Sequence, residues 1–115
     1  MTLDEAQAAV DAYIGQFQVG YFDPVTQLVC LAEEQGELAR ELLHAHGPKP
    51  KKQTDDGGSA AKELGDVLFV LICLANSLGI SLEEALRASL DKYQARDQHR
   101  WERRDKDAET GAGGT

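Results

Sequence analysis

Four carboxylates in this sequence are spaced to act together. Glu34 and Glu37 stand three residues apart, as do Glu63 and Asp66, the interval that puts two side chains on one face of a helix. If the two segments are antiparallel neighbouring helices, the four acids converge. Unpaired, they repel one another and are costly to bury; a divalent cation removes that cost. Hard oxygen ligands, with no nearby cysteine or obvious histidine set, select Mg²⁺ or its substitute Mn²⁺ over zinc. Such an ion usually keeps coordination positions for water and phosphate oxygens. The same acids, joined by Glu33 and Glu41, would also suit an ordinary solvated helix face, and Glu63 and Asp66 would suit the positive N-terminus of a helix. The glycines weigh against that. Gly36 precedes Glu37 and Gly65 precedes Asp66, each costing about 1 kcal/mol against alanine inside a helix, which points to close backbone packing or room for a ligand.

The elements that must hold these acids read as helices throughout. Thr2-Leu-Asp-Glu5 is a capping box, followed by apolar positions Ala6, Val10, Tyr13, Ile14 and Phe17 at helical spacing. Asp23-Pro24 opens a second helix that stops at Gly47-Pro48. The stretch "GPKPKKQTDDGGS" is a polar loop. Ser59 caps a third helix ending at Gly79, and Ser81-Leu-Glu-Glu84 opens a fourth, expected to run past Trp101. No stretch alternates long enough for a strand. The expected class is all-α, a four-helix bundle spanning 1–105, with 106–115 as a disordered tail. The third helix is apolar on every side, including the unbroken run Val67–Ala75, and three other helices in 115 residues can hardly cover it. A second copy of the chain is therefore expected, as a homodimer or a dimer-of-dimers tetramer.

Composition excludes some tasks. A formal net charge of −8 argues against nonspecific binding to nucleic acid or membrane. The apolar run is short of the roughly 20 residues that span a bilayer. Cys30 and Cys73 lie in apolar helical patterns without a C-x-x-C, so they read as reduced core residues of a cytoplasmic protein, with no targeting segment visible.

The sequence Glu33-Glu34-x-x-Glu37, 25 intervening residues, then Glu63-x-x-Asp66 resembles the E-E-x-x-E…E-x-x-D signature of the MazG-like nucleotide pyrophosphohydrolases. "YIGQFQVGYFDP", "LAEEQGELARE", "GPKPKK", "ELGDVLFVLICLANSLGISLEEA" and "RDQHRW" resemble their small single-domain, YpjD-type branch, over about residues 3 to 105. The resemblance implies Mg²⁺-dependent cleavage of a nucleoside triphosphate between the α and β phosphates, with house-cleaning of noncanonical or excess nucleotides as the role. It matches Glu34, Glu37, Glu63 and Asp66 to the metal ligands. Glu33 matches the less uniform first acid, which could orient or deprotonate the attacking water or sit behind the ligands.

Nine of the 12 lysines and arginines lie in two places: Lys49, Lys51 and Lys52 in the loop, and Lys92, Arg96, Arg100, Arg103, Arg104 and Lys106 towards the C-terminus. Lys92, Arg96 and Arg100 form one stripe on the fourth helix. The resemblance implies that Lys92 and Arg96 contact substrate phosphates; salt bridges are the ordinary alternative. The loop, with Lys49 and Lys52, is a solvated connector or a lid over the nucleotide. Phe17 and Tyr21, with Tyr13 and Phe22, offer a stacking surface for a base, and Gln18 or Asn76 a hydrogen-bonding edge, although aromatics at this spacing also build cores. Two other classes stay open: a ferritin-like di-iron protein, for which Glu41-x-x-His44 supplies one of the two E-x-x-H pairs needed, and a catalytically silent helical interaction protein.

Overall fold

The computed structural model describes residues 1–47 and 59–104. Among these residues are four helices, α1 (Leu3–Ile14), α2 (Pro24–His46), α3 (Ala60–Leu78) and α4 (Leu82–Asp97). There is no strand among the described residues. The class is all-α. The loop lysines Lys49, Lys51 and Lys52, the lid reading of that loop and the tail at 106–115 lie outside the described residues.

Caps set the helix limits. Thr2 Oγ1 accepts from the Glu5 N–H while Glu5 Oε1 accepts from the Thr2 N–H, at 3.0 and 2.7 Å, so the capping box is complete. Asp23 accepts from the Thr26 N–H and hydroxyl at 3.0 and 2.8 Å, with Pro24 in the first helical position. Ser59 Oγ accepts from the Lys62 N–H. Gly79, at φ 68°, ends α3 in the left-handed conformation that glycine adopts without steric cost.

Two limits differ from the sequence expectation. α1 stops at Ile14, and Phe17 lies in the turn that follows, closed by Gly15 N–H to Asp11 O and Gly20 N–H to Phe17 O. Gly20 sits at φ 65°, a backbone state open to glycine, and the turn folds Phe17 back on Tyr13 with ring centroids 5.4 Å apart. α4 stops at Asp97, well before Trp101. Asp97 puts a negative charge at the negative end of the helix dipole, and its carboxylate accepts from Arg96 Nε and Nη2 at 2.8 and 3.0 Å.

The chain divides into two compact units, Met1–Glu83 and Glu84–Thr115. In the first, α3 packs against α2 and, less extensively, α1. Glu34 of α2 meets Glu63 and Asp66 at the start of α3, while Gln27 and Cys30, earlier in α2, share a cavity with Phe69 and Cys73, later in α3. The two helices are therefore antiparallel. α1 is fastened by side-chain amides: Gln7 Nε2 donates to Asn76 Oδ1 and Ile80 O, and Asn76 Nδ2 donates to Gln7 O and Tyr21 Oη, at 2.8 to 3.0 Å. Among the described residues the buried hydrophobic core is small, Ile72, Cys73 and Ala75. Leu64, Leu68 and Leu78 of α3 remain 46 to 56% exposed. Both cysteines are free thiols, and burial raises the Cys73 thiol above its ordinary value. Among the described residues no single helix is long and apolar enough to cross a membrane.

Candidate metal centre

The antiparallel pairing of α2 and α3 converts two local spacings into one cluster. Oxygens of Glu34, Glu63 and Asp66 lie within 4.8 Å of one another. Glu63 is buried and the other two are half-buried. Position explains the difference: Glu63 lies in the first turn of α3, which Ser59 caps, and its side chain turns inward between the helices.

Electrostatics register the crowding. Burial first, and then the charges of Asp66, Glu63 and Glu37, raise the Glu34 carboxyl above its ordinary range. Among the described residues the neutralising group is Lys62, whose Nζ lies 3.3 Å from Asp66 Oδ2 and 3.6 Å from Glu63 Oε1. Hydrogen bonding to Asp66, followed by the charges of Asp66 and Glu63, raises the Lys62 ammonium. A cluster to which the described residues supply one exposed ammonium against three carboxylates fits a hard divalent cation. Its donors are all oxygens, from two elements, at a spacing one ion can bridge.

The remaining sequence candidates are distributed around this triad. Glu37 is exposed and reaches Arg40 at 3.4 Å, so it stands outside the triad, while its charge still acts on Glu34. Glu33 is exposed beside Glu34. The triad contains no histidine, so Glu41-x-x-His44 does not take part in it. Lys92 and Arg96 belong to the second unit, where each lies 4.7 Å from the Tyr93 ring centroid. That stacking and the Arg96–Asp97 pair hold these cations along α4.

Phe17 and Tyr21 do come together, with Tyr13, Phe22, Phe69 and Gln27, around a cavity of about 280 Å³. The Tyr21 hydroxyl is already engaged, donating to Asp11 Oδ1 at 2.8 Å and accepting from Asn76. Asn76, a candidate base-reading edge in the sequence, is occupied in fastening α1 to α3. Two residues escaped the sequence reading. Lys62 was legible as an i,i+4 partner of Asp66. Gln27 carried no such signal, since only its burial in the fold sets it apart.

The sequence profile of the MazG nucleotide pyrophosphohydrolase domain matches residues 22–101. YpjD of Bacillus subtilis (strain 168) is 56% identical over 104 residues, covering 90% of this chain and 94% of its own. YvdC of the same organism is 30% identical over 84 residues, covering 68% and 79%. The crystal structure of Bacillus subtilis YpjD matches with a TM-score of 0.75 at 57% identity, over 81% of this chain and 95% of the other. That of the Bacillus-conserved MazG protein, a nucleotide pyrophosphohydrolase, matches with a TM-score of 0.70 at 45% identity, over 93% and 96%. With the acid signature, the all-α fold and these matches in agreement, the chain belongs to the MazG family of nucleotide pyrophosphohydrolases, a family of hydrolases.

Proposed function

We propose that this protein hydrolyses a nucleoside triphosphate between its α and β phosphates, releasing a nucleoside monophosphate and pyrophosphate, with Mg²⁺ as the working ion and Mn²⁺ as a substitute. The observation that carries this reading is the convergence of Glu34, Glu63 and Asp66 within 4.8 Å. Glu37 completes the ligand set by releasing Arg40, an exposed pair of little energetic weight. When bound, the ion polarises phosphoryl oxygens, acidifies water and offsets charge on the departing pyrophosphate.

The chain's own groups do the rest. Water adds to the α phosphorus, the bond to the bridging oxygen breaks, and pyrophosphate leaves with the electron pair. Glu33 is exposed next to Glu34 and either takes the water's proton or orients the water for attack. Lys92 and Arg96, with Lys49 and Lys52 of the loop, draw in the phosphate chain. The aromatic cavity with Phe17 and Tyr21 stacks the base. We assign residues 1–105 to one catalytic domain that works as a homodimer or tetramer, with nucleotide-pool house-cleaning in the cytoplasm as its role.

A panel of NTPs and dNTPs, including oxidised and deaminated bases, incubated with Mg²⁺ or Mn²⁺, tests the reading by the products formed. Pyrophosphate and monophosphate are expected. Orthophosphate would overturn the assigned bond. Glu37→Gln and Asp66→Asn should each abolish turnover while the circular dichroism spectrum is unchanged, and activity retained in both would remove the metal assignment.

A further inference from the structure

We infer that Gln27 is the specificity-determining residue of the aromatic cavity, reading the hydrogen-bonding edge of the substrate's base; this rests on the triphosphate reading above. Gln27 is only 5% exposed, one of two buried polar or charged side chains among the described residues. The other, Glu63, belongs to the acid cluster. The Gln27 backbone N–H serves α2, donating to Asp23 O at 2.9 Å. Its side-chain amide makes no hydrogen bond with another described residue. Among the described residues no sealed side-chain nitrogen or oxygen lacks a partner, so the amide keeps some contact with solvent, and Gln27 is one of the residues that line the cavity. An amide with no partner in the chain, at the wall of an aromatic cavity, can exchange solvent for a ligand with a matching polar edge.

The surroundings define such a ligand. Tyr13 stacks edge-on against Phe17 and Phe69, with centroids 5.4 and 6.1 Å apart, and Phe22 and Tyr21 complete the wall. Flat π surfaces around a single amide suit a planar heterocycle with a polar edge. Gln27 precedes Glu34 by two turns of α2, roughly 10 Å along the axis, on the face that also bears Cys30. A base held at Gln27 therefore lies one nucleoside away from phosphates held at the acid cluster.

The chemistry of the amide sets the selectivity. Gln presents an acceptor beside a donor and can rotate to exchange them. One orientation pairs with the amino–imine edge of cytosine or adenine, the other with the keto–imide edge of thymine, uracil or guanine. The wild type should thus accept several bases. Glutamate at this position only accepts, and guanine alone among these bases offers two adjacent donors. Contacts to a base remote from the reacting phosphorus act alike on bound substrate and transition state, so their loss falls on KM rather than kcat.

The test is steady-state kinetics of the full chain with Mn²⁺ on dATP, dCTP, dGTP, dTTP and dUTP, for the wild type, Gln27→Leu and Gln27→Glu, with melting curves to establish folding. Gln27→Leu should raise KM about tenfold or more for every base. Gln27→Glu should shift kcat/KM towards dGTP by about tenfold relative to the others. If both fold and turn over with unchanged KM and base preference, the inference is overturned and the triphosphate reading survives. No turnover by the wild type on any nucleotide overturns both. Should Gln27→Glu fail to fold, Gln27→Leu decides alone: a higher melting temperature at unchanged KM marks Gln27 as a buried polar residue without a role in recognition.

Discussion

Glu34 carries an electrostatic penalty in the metal-free chain. Its carboxyl is raised by burial, Asp66, Glu63 and Glu37, so the folded chain binds its proton more tightly than the unfolded chain does. The sign follows from linkage: this group's contribution to stability falls as pH rises from the ordinary carboxylate range through the raised value. In EDTA, the urea midpoint of the wild type should therefore decline over that window relative to Glu34→Gln. At neutral pH the metal-free variant should melt higher than the wild type, while its Mn²⁺ affinity, by calorimetry, drops by an order of magnitude or more. A variant that lost stability and kept its affinity would contradict the assignment. Glu34, Glu63 and Asp66 were legible because three-residue spacing is a direct statement about helix faces, whereas Glu37, at the same spacing from Glu34, stands outside the triad. Gln27 was not: burial and the absence of a partner are tertiary facts, and glutamine on a helix is commonplace in sequence.

Helix ends were the most legible elements, since Thr2, Asp23, Ser59 and Gly79 each announce a backbone group that needs satisfying. The failures have local causes. Phe17 continues the periodicity of α1, but Gly15 and Gly20 let the chain turn, and the ring gains more by folding on Tyr13. The purpose of Gly36 and Gly65 was also misjudged in part, because a Cβ at either meets nothing within 4 Å. Close packing within the described chain does not require them. Gly36→Ala and Gly65→Ala should each stabilise the protein by about 1 kcal/mol in chemical denaturation, and a loss instead would mean that a ligand or second chain uses the space. At the other end of α3, Asn76 makes three part-buried hydrogen bonds to Gln7 and Tyr21. Asn76→Ala leaves those groups unpaired and should cost about 2–3 kcal/mol, measurable as a lower urea midpoint.

At the scale of the molecule, the imbalance between apolar content and burial matters most. A helix as apolar as α3, with Leu64, Leu68 and Leu78 about half exposed and so few hydrophobic residues buried, supports the proposed assembly. Sedimentation equilibrium at micromolar concentration should give a dimer or tetramer, and Leu68→Glu should shift it towards the monomer and lower its melting temperature. A monomeric wild type would remove the proposal. Assembly state lies beyond what periodicity can state: the sequence marks a surface that needs covering without marking its cover. The fastening of α1 also bears on the order of folding. Gln7 Oε1 accepts from the Leu82 N–H at 2.9 Å across 75 positions of sequence, so the first amide of α4 is satisfied by a residue near the start of the chain. That bond forms only after a long loop has closed. The Leu82 amide should exchange with deuterium at the rate at which α1 opens, and in Gln7→Ala it should lose protection while the middle of α3 keeps it. A chain made from its N-terminal side would thus complete the start of α4 with a residue made 75 positions earlier.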